Sequence, residues 1–105
     1  MRCSLNGAWM LRLEWSQPAA DALEAAQSYY HELNPNAAHA LARRVLDAAR
    51  RLQEHPHLGR PGLRQGTREW VVSRTPYLLV YRRIEESIQI LQVWNAVQDW
   101  QNHLD

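Results

Sequence analysis

Apolar residues follow two different rhythms along this chain, and the change between them divides it. Leu11, Leu13 and Trp15 alternate with Arg12 and Glu14, so residues 10–15 read as a half-buried strand. Ser16 then offers a capping hydroxyl and Pro18 a first-turn proline, the chemistry of a helix start. Over residues 17–33 the apolar positions Ala19, Leu23, Ala26, Tyr30 and Leu33 return at helical spacing. Asn34-Pro35 stops that helix and caps a second, which runs to Glu54. In it Ala38, Leu41, Ala42, Val45, Leu46, Ala49 and Leu52 form one face, with Arg43, Arg44, Asp47, Arg50 and Arg51 on the other. So short a break predicts an antiparallel helical hairpin.

After His55-Pro56 the rhythm changes. Gly59, Pro61, Gly62 and Gly66 mark a loop, near the upper length for an unstructured connection and therefore of functional interest. Three short runs follow: Trp70-Val71-Val72, Tyr77 to Tyr81, and Ile88 to Val93. They are separated by Arg74-Thr75-Pro76 and by Glu85-Glu86, the pattern of a strand meander. The expected fold is thus α+β: an N-terminal strand and an antiparallel helical hairpin packed on a small antiparallel sheet, completed by a three-stranded C-terminal meander. Two helices cover only one face of such a sheet. Tyr77, Leu79 and Tyr81 should point one way and Leu78, Val80 and Arg82 the other. The uncovered face is expected to be partly apolar, studded with Tyr and Arg, and fit for a partner. Residues 99–105 read as a polar tail or a single helical turn, and residues 1–9 as a short tail, with Met10 an alternative start.

The 105 residues suit one domain spanning 1–105, and a net charge of +1 gives no argument for nucleic-acid binding by itself. Its distribution does change the picture. Arg60, Arg64, Arg68, Arg74, Arg82 and Arg83 face a single acid, Glu69, within that stretch, and all 12 basic residues are arginines. A planar guanidinium holds phosphate or carboxylate in a fork, although GC-rich coding produces the same bias without function. Cys3 has no partner cysteine, which makes a reducing, cytoplasmic setting the default. No apolar run nears the roughly 20 residues that span a bilayer, so no membrane partner is expected.

Familiar catalytic signatures are weak. His55 and His57 lack the third and fourth ligands a zinc site needs, and no metal is expected. GRPGLRQG lacks a phosphate-loop lysine, and no cofactor is expected. What remains is a group of arginines and aromatics. Arg68, Arg74, Arg82 and Arg83 with Trp70, Tyr77, Tyr81 and Trp94 have the chemistry to hold phosphates and stack bases. Metal-free cleavage of RNA needs charge stabilisation, which arginines supply, and proton transfer, for which Glu69, Tyr77 and Tyr81 are candidates. The same residues equally suit a protein-binding hot spot, or simply a packed sheet with solvated edges.

These residues also resemble a family. LEWSQPAADALEAAQSYY, PHLGRPG (Pro56 to Gly62), GTREWVV (Gly66 to Val72), TPYLLVYR (Thr75 to Arg82) and ILQVWNAVQDW (Ile90 to Trp100) together look like a toxin of the RelE/ParE superfamily of bacterial type II toxin–antitoxin modules. The resemblance runs from Leu11 to Trp100. It implies a growth-inhibiting protein in a hetero-oligomer with a cognate antitoxin, whose disordered segment folds over the toxin. RelE-like members cleave mRNA on the ribosome through basic residues, whereas ParE-like members inhibit DNA gyrase. A degenerate, non-toxic antitoxin binder is a third option. Trp94-Asn95 stands where many relatives carry Leu-His, and asparagine does not transfer protons. No lysine is present, and Asp99-Trp100 resembles the ParE-like ending. The lean is therefore towards a ParE-like inhibitor. Arg60, Arg64, Trp70, Arg83, Trp94, Asn95, Asp99 and Trp100 become candidates for binding target or antitoxin.

Overall fold

A computed structural model describes residues 11–96. The expectations for residues 1–10 and for Asp99, Trp100 and the tail lie outside the described residues. The elements run β1 (Arg12–Trp15), α1 (Gln17–Leu33), α2 (Pro35–Glu54), β2 (Arg60–Pro61), β3 (Arg68–Val71), β4 (Tyr77–Ile84) and β5 (Ser87–Asn95). Both helices keep the bounds that their breakers set. The Ser16 hydroxyl accepts from Ala19 N–H at 3.1 Å and caps α1. Asn34 serves both helices: its N–H donates to Tyr30 C=O at 2.8 Å, and its side chain accepts from Asn36 N–H at 2.9 Å.

The strands form one sheet in the order β1-β5-β4-β3-β2. The α+β class holds, with one refinement: β1 lies parallel to β5, so the sheet is mixed while β2 to β5 pair antiparallel. The chain between β1 and β5 passes through both helices and the other three strands, so the long connection that a parallel pair requires is present. A fifth strand, β2, lies within the loop expected to be structureless. It is two residues long, contains Pro61 and occupies the sheet edge, where a missing N–H is tolerated. Strand β4 continues past Tyr81 to Ile84, whereas Val72 falls just outside β3, fully buried.

The hairpin packs Ala19, Ala26, Leu41, Val45, Ala49 and Leu52 onto Leu79, Tyr81, Ile88, Ile90 and Val93. Burying each large side chain contributes about 1.5–3 kcal/mol. Two expected core positions are corrected. Leu46 is 52% exposed because it sits about 100° round the helix from Val45, off the stripe that faces the sheet. Leu33 lies on the correct side of α1 but is 67% exposed, because the core reaches along that helix only as far as Tyr30.

Candidate functional site

The uncovered face carries cross-strand rows set by register. Val71, Leu78 and Trp94 form one row and Glu69, Val80 and Gln92 the next. A bulge separates these from the row Arg82, Gln89, Glu14: Val80 pairs with Gln92, but Tyr81 pairs with Ile90, leaving Leu91 as the extra residue. Without it, strict alternation would not allow Ile88, Ile90 and Val93 all to face the helices. The bulge aims Leu91 into a groove of about 420 Å³ shared with Val80, Gln92, Trp94, Glu69 and the loop residues Leu63 and Arg64. Its carbonyl also accepts from the Ser16 hydroxyl at 2.8 Å, tying the bulge to the start of α1.

Glu69 is 8% exposed, and its Oε1 accepts from Arg60 Nε at 3.1 Å. Arg60 Nη2 lies 3.1 Å from the same oxygen. That pairing neutralises the acid of the groove. In the next row Arg82 Nε donates to Gln89 at 2.8 Å, and Gln89 donates to Glu14 at 3.0 Å. This face therefore holds aliphatics, Trp94, the arginines Arg60 and Arg82 already engaged with polar partners, and Arg64 in the groove lining.

The tyrosines are elsewhere, which corrects the expectation of a Tyr-studded open face. Tyr77 and Tyr81 both face the helices. Tyr81 has no exposed surface; its hydroxyl accepts from Gly59 N–H at 2.9 Å and donates to Pro56 C=O at 2.8 Å. Arg68 Nη1 donates to Gly59 C=O at 2.7 Å. Tyr81 and Arg68 thus pin the 56–59 loop to the sheet, and a hydroxyl so engaged is badly placed to move protons for a substrate.

Burial raises the Tyr81 phenol above its ordinary 10.0, opposed by the Gly59 hydrogen bond and the Arg68 charge. A raised folded pKa means that the native state holds its proton more tightly than the unfolded chain. The resulting stability is fully present below pH 10.0 and is lost as pH rises from there through the folded value. Tyr81→Phe is therefore expected to lower stability by about 1–3 kcal/mol at neutral pH, since Gly59 N–H loses its acceptor. It should also remove this residue's share of the alkaline loss. Urea midpoints at neutral pH and above pH 10 check both; an unchanged alkaline slope would count against the assignment.

The remaining candidates disperse. Arg68 and Arg83 line a cleft of about 320 Å³ with His57, a residue the sequence singled out only to dismiss as a metal ligand. Arg83 Nε also donates to Glu85 C=O at 3.0 Å. Trp70 and Arg74 lie at the opposite end of the same side, against α2. Tyr77 and Asn95 line a third hollow with Ala22, Ala26, Tyr29 and Tyr30. Trp94 and Asn95, adjacent in β5, consequently serve opposite faces. Arg68, Arg74 and Arg82 share no cleft, and Arg82 is on the far side of the sheet from the other two. Among the described residues no group of three or more His, Cys, Asp or Glu is placed to hold a metal. No helix there is long and apolar enough to cross a membrane.

Residues 13–100 match the family model described as ParE toxin of type II toxin-antitoxin system, parDE. Over 89 residues the chain is 36% identical to a Sinorhizobium fredii protein named "Putative toxin Y4kP", spanning 85% of this chain and 92% of that one. Among solved structures it is similar to a chain of the chromosomal ParDE TA system from P. aeruginosa, with a TM-score of 0.75 and 27% identity. That match covers 84% of this chain and 98% of that chain. A chain of the toxin–antitoxin complex RelBE2 from Mycobacterium tuberculosis gives a TM-score of 0.55 and 26% identity, covering 82% and 91% respectively.

Proposed function

Because this chain belongs to the ParE toxin family of type II toxin–antitoxin systems, we propose that it arrests growth by inhibiting DNA gyrase, and that its antitoxin occupies the groove on the open sheet face. The observation that carries the gyrase reading is the dispersal of the nuclease candidates. Tyr81 is buried with both hydrogen-bonding roles of its hydroxyl taken, and Glu69 is tied to Arg60. Arg82 is separated from Arg68 and Arg74 by the sheet itself, and Asn95 has no acid–base chemistry. In-line cleavage of RNA needs such groups around one phosphate, and this arrangement favours a surface that binds its target. The groove residues Val80, Leu91 and Trp94, with Leu63 beside them 69% exposed, give an apolar antitoxin segment a seat. The antitoxin-containing complexes among the similar structures support that partner.

Purified toxin at micromolar concentration is expected to abolish supercoiling of relaxed plasmid by gyrase, and premixed antitoxin to restore it. Unchanged supercoiling would overturn the gyrase reading. A ribosome-dependent nuclease is the second reading, favoured by the cleft that joins His57 to Arg68 and Arg83 and by the likeness to the RelBE2 complex. It predicts cuts within translated codons that disappear in His57→Ala, whereas the gyrase reading predicts no cuts at all.

A further inference from the structure

We propose that the cleft between α2 and the β3–β4 turn is a phosphodiester-binding site, in which Arg44, Arg51 and Arg74 grip the backbone of a nucleic acid. The cleft has a volume of about 540 Å³ and is lined by these three arginines with Asp47, Ala48, Trp70 and Ser73. No side-chain hydrogen bond or ion pair engages any of the three guanidiniums among the described residues. That contrasts with Arg60, Arg68, Arg82 and Arg83, each of which has an acceptor. Asp47 stands three residues after Arg44 and four before Arg51, spacings at which helical charges pair, yet it bridges to neither. The cleft thus gathers three uncommitted forks around one acid.

Spacing selects the ligand. Arg44 and Arg51 are two helical turns apart on one flank of α2, about 10 Å at 1.5 Å rise per residue. That spacing along the helix suits a ligand that carries several phosphates in a row. Trp70 supplies an aromatic wall and Ser73 a hydroxyl, the combination that accompanies arginine where nucleic-acid strands are held without sequence preference. Asp47 repels phosphate and carboxylate alike, but it can accept a hydrogen bond from the amino group of a base, which an acidic peptide side chain does not offer. The site faces the helix side of the sheet, away from the antitoxin groove, and it stands whichever target the toxin has.

Arg74 makes the test clean. Its backbone sits at φ 63, in the left-handed region that favours glycine, inside a turn closed by Thr75 N–H to Val72 C=O at 3.2 Å. Arg74→Gly removes the charge and relieves the backbone together, so loss of binding cannot be ascribed to loss of fold. The full-length toxin is titrated into fluorescein-labelled single-stranded DNA, duplex DNA and RNA, each of about 20 nucleotides to exceed one binding site. Fluorescence anisotropy is followed at several salt concentrations. The variant Arg44→Gln, Arg51→Gln, Arg74→Gly is compared with the charge-matched variant Arg12→Gln, Arg43→Gln, Arg50→Gln, whose positions lie outside the cleft. The cleft variant should bind at least 30-fold more weakly than wild type. On duplex DNA its log–log salt slope should be shallower by about two to three, at roughly 0.9 per phosphate contact. The charge-matched variant should lose less than fivefold, and both should keep the wild-type thermal midpoint within a few degrees. A preference among the three oligonucleotides identifies the natural strand. Equal losses in the two variants, or no binding to any oligonucleotide at low salt, would overturn the proposal. Tighter binding to a polyglutamate peptide than to all three would do so as well, assigning the cleft to an acidic protein.

Discussion

Gly59→Ala is expected to destabilise this toxin by about 3–5 kcal/mol, a large part of the 5–15 kcal/mol that holds a domain of this size together. A Cβ at this position would lie 2.6 Å from the Tyr81 hydroxyl, 2.8 Å from a Tyr81 ring carbon and 2.8 Å from the Glu69 carbonyl oxygen. Tyr81 is fully enclosed by the core, and the Glu69 carbonyl belongs to β3, so neither neighbour has room to yield. Overpacking of this kind costs about 1–3 kcal/mol. Displacing the loop also breaks the hydrogen bonds of Gly59 with Tyr81 and Arg68, at about 1 kcal/mol each. Gly66→Ala is the matched comparison. Its φ of +84 strains any side chain, but nothing lies within 4 Å, so about 1–2 kcal/mol is expected. Urea unfolding of both variants decides the matter. A Gly59→Ala cost no larger than that of Gly66→Ala would show that the Tyr81 anchor does not hold the loop.

Leu91→Asp is expected to weaken antitoxin binding at least a hundredfold, or about 2.7 kcal/mol, while the toxin stays folded. Leu91 is the extra residue of the β5 bulge and is only half-buried, so its side chain is not needed by the helix-covered core. Within the groove it lies among the apolar side chains of Val80, Trp94 and Leu63, and Arg64 is the one basic residue of the lining. An antitoxin segment docking there would bury a charge whose desolvation a pairing with Arg64 offsets only in part, which is costly. Calorimetric titration with antitoxin gives the affinity, and co-expression tests whether neutralisation fails. Val71→Asp is the comparison: this residue shares the open face, is 53% exposed and is not part of the groove. Equal losses at the two positions would mean that the antitoxin does not use the groove.

Both predictions rest on features of unequal visibility in the sequence. Helix bounds were legible because their causes are local: Ser16 and Asn34 cap through atoms within three residues, and prolines follow each cap. The separation of Trp94 from Asn95 also follows from strand alternation alone. The bulge at Leu91 was not legible, because Ile90-Leu91 and Val93-Trp94 are adjacent apolar pairs and residue type does not say which member of each faces the helices. Nor was the role of Tyr81, whose partners Gly59 and Pro56 lie 22 and 25 residues away. His57 gave no signal beyond its neighbouring proline, and only folding brings it beside Arg68 and Arg83.

By itself the sequence determined the α+β class, the helical hairpin, the meander and membership of a toxin family. Those follow from short-range periodicity, breakers and ordered motifs that survive without knowledge of any distant contact. Tertiary structure alone decided which arginines are engaged and which remain uncommitted. It also moved the tyrosines from the expected open face into the core and opened a groove beside Leu91. The physical reason is register. One residue of slip in a strand sends every later side chain to the other face, and that choice is made by pairing across the sheet.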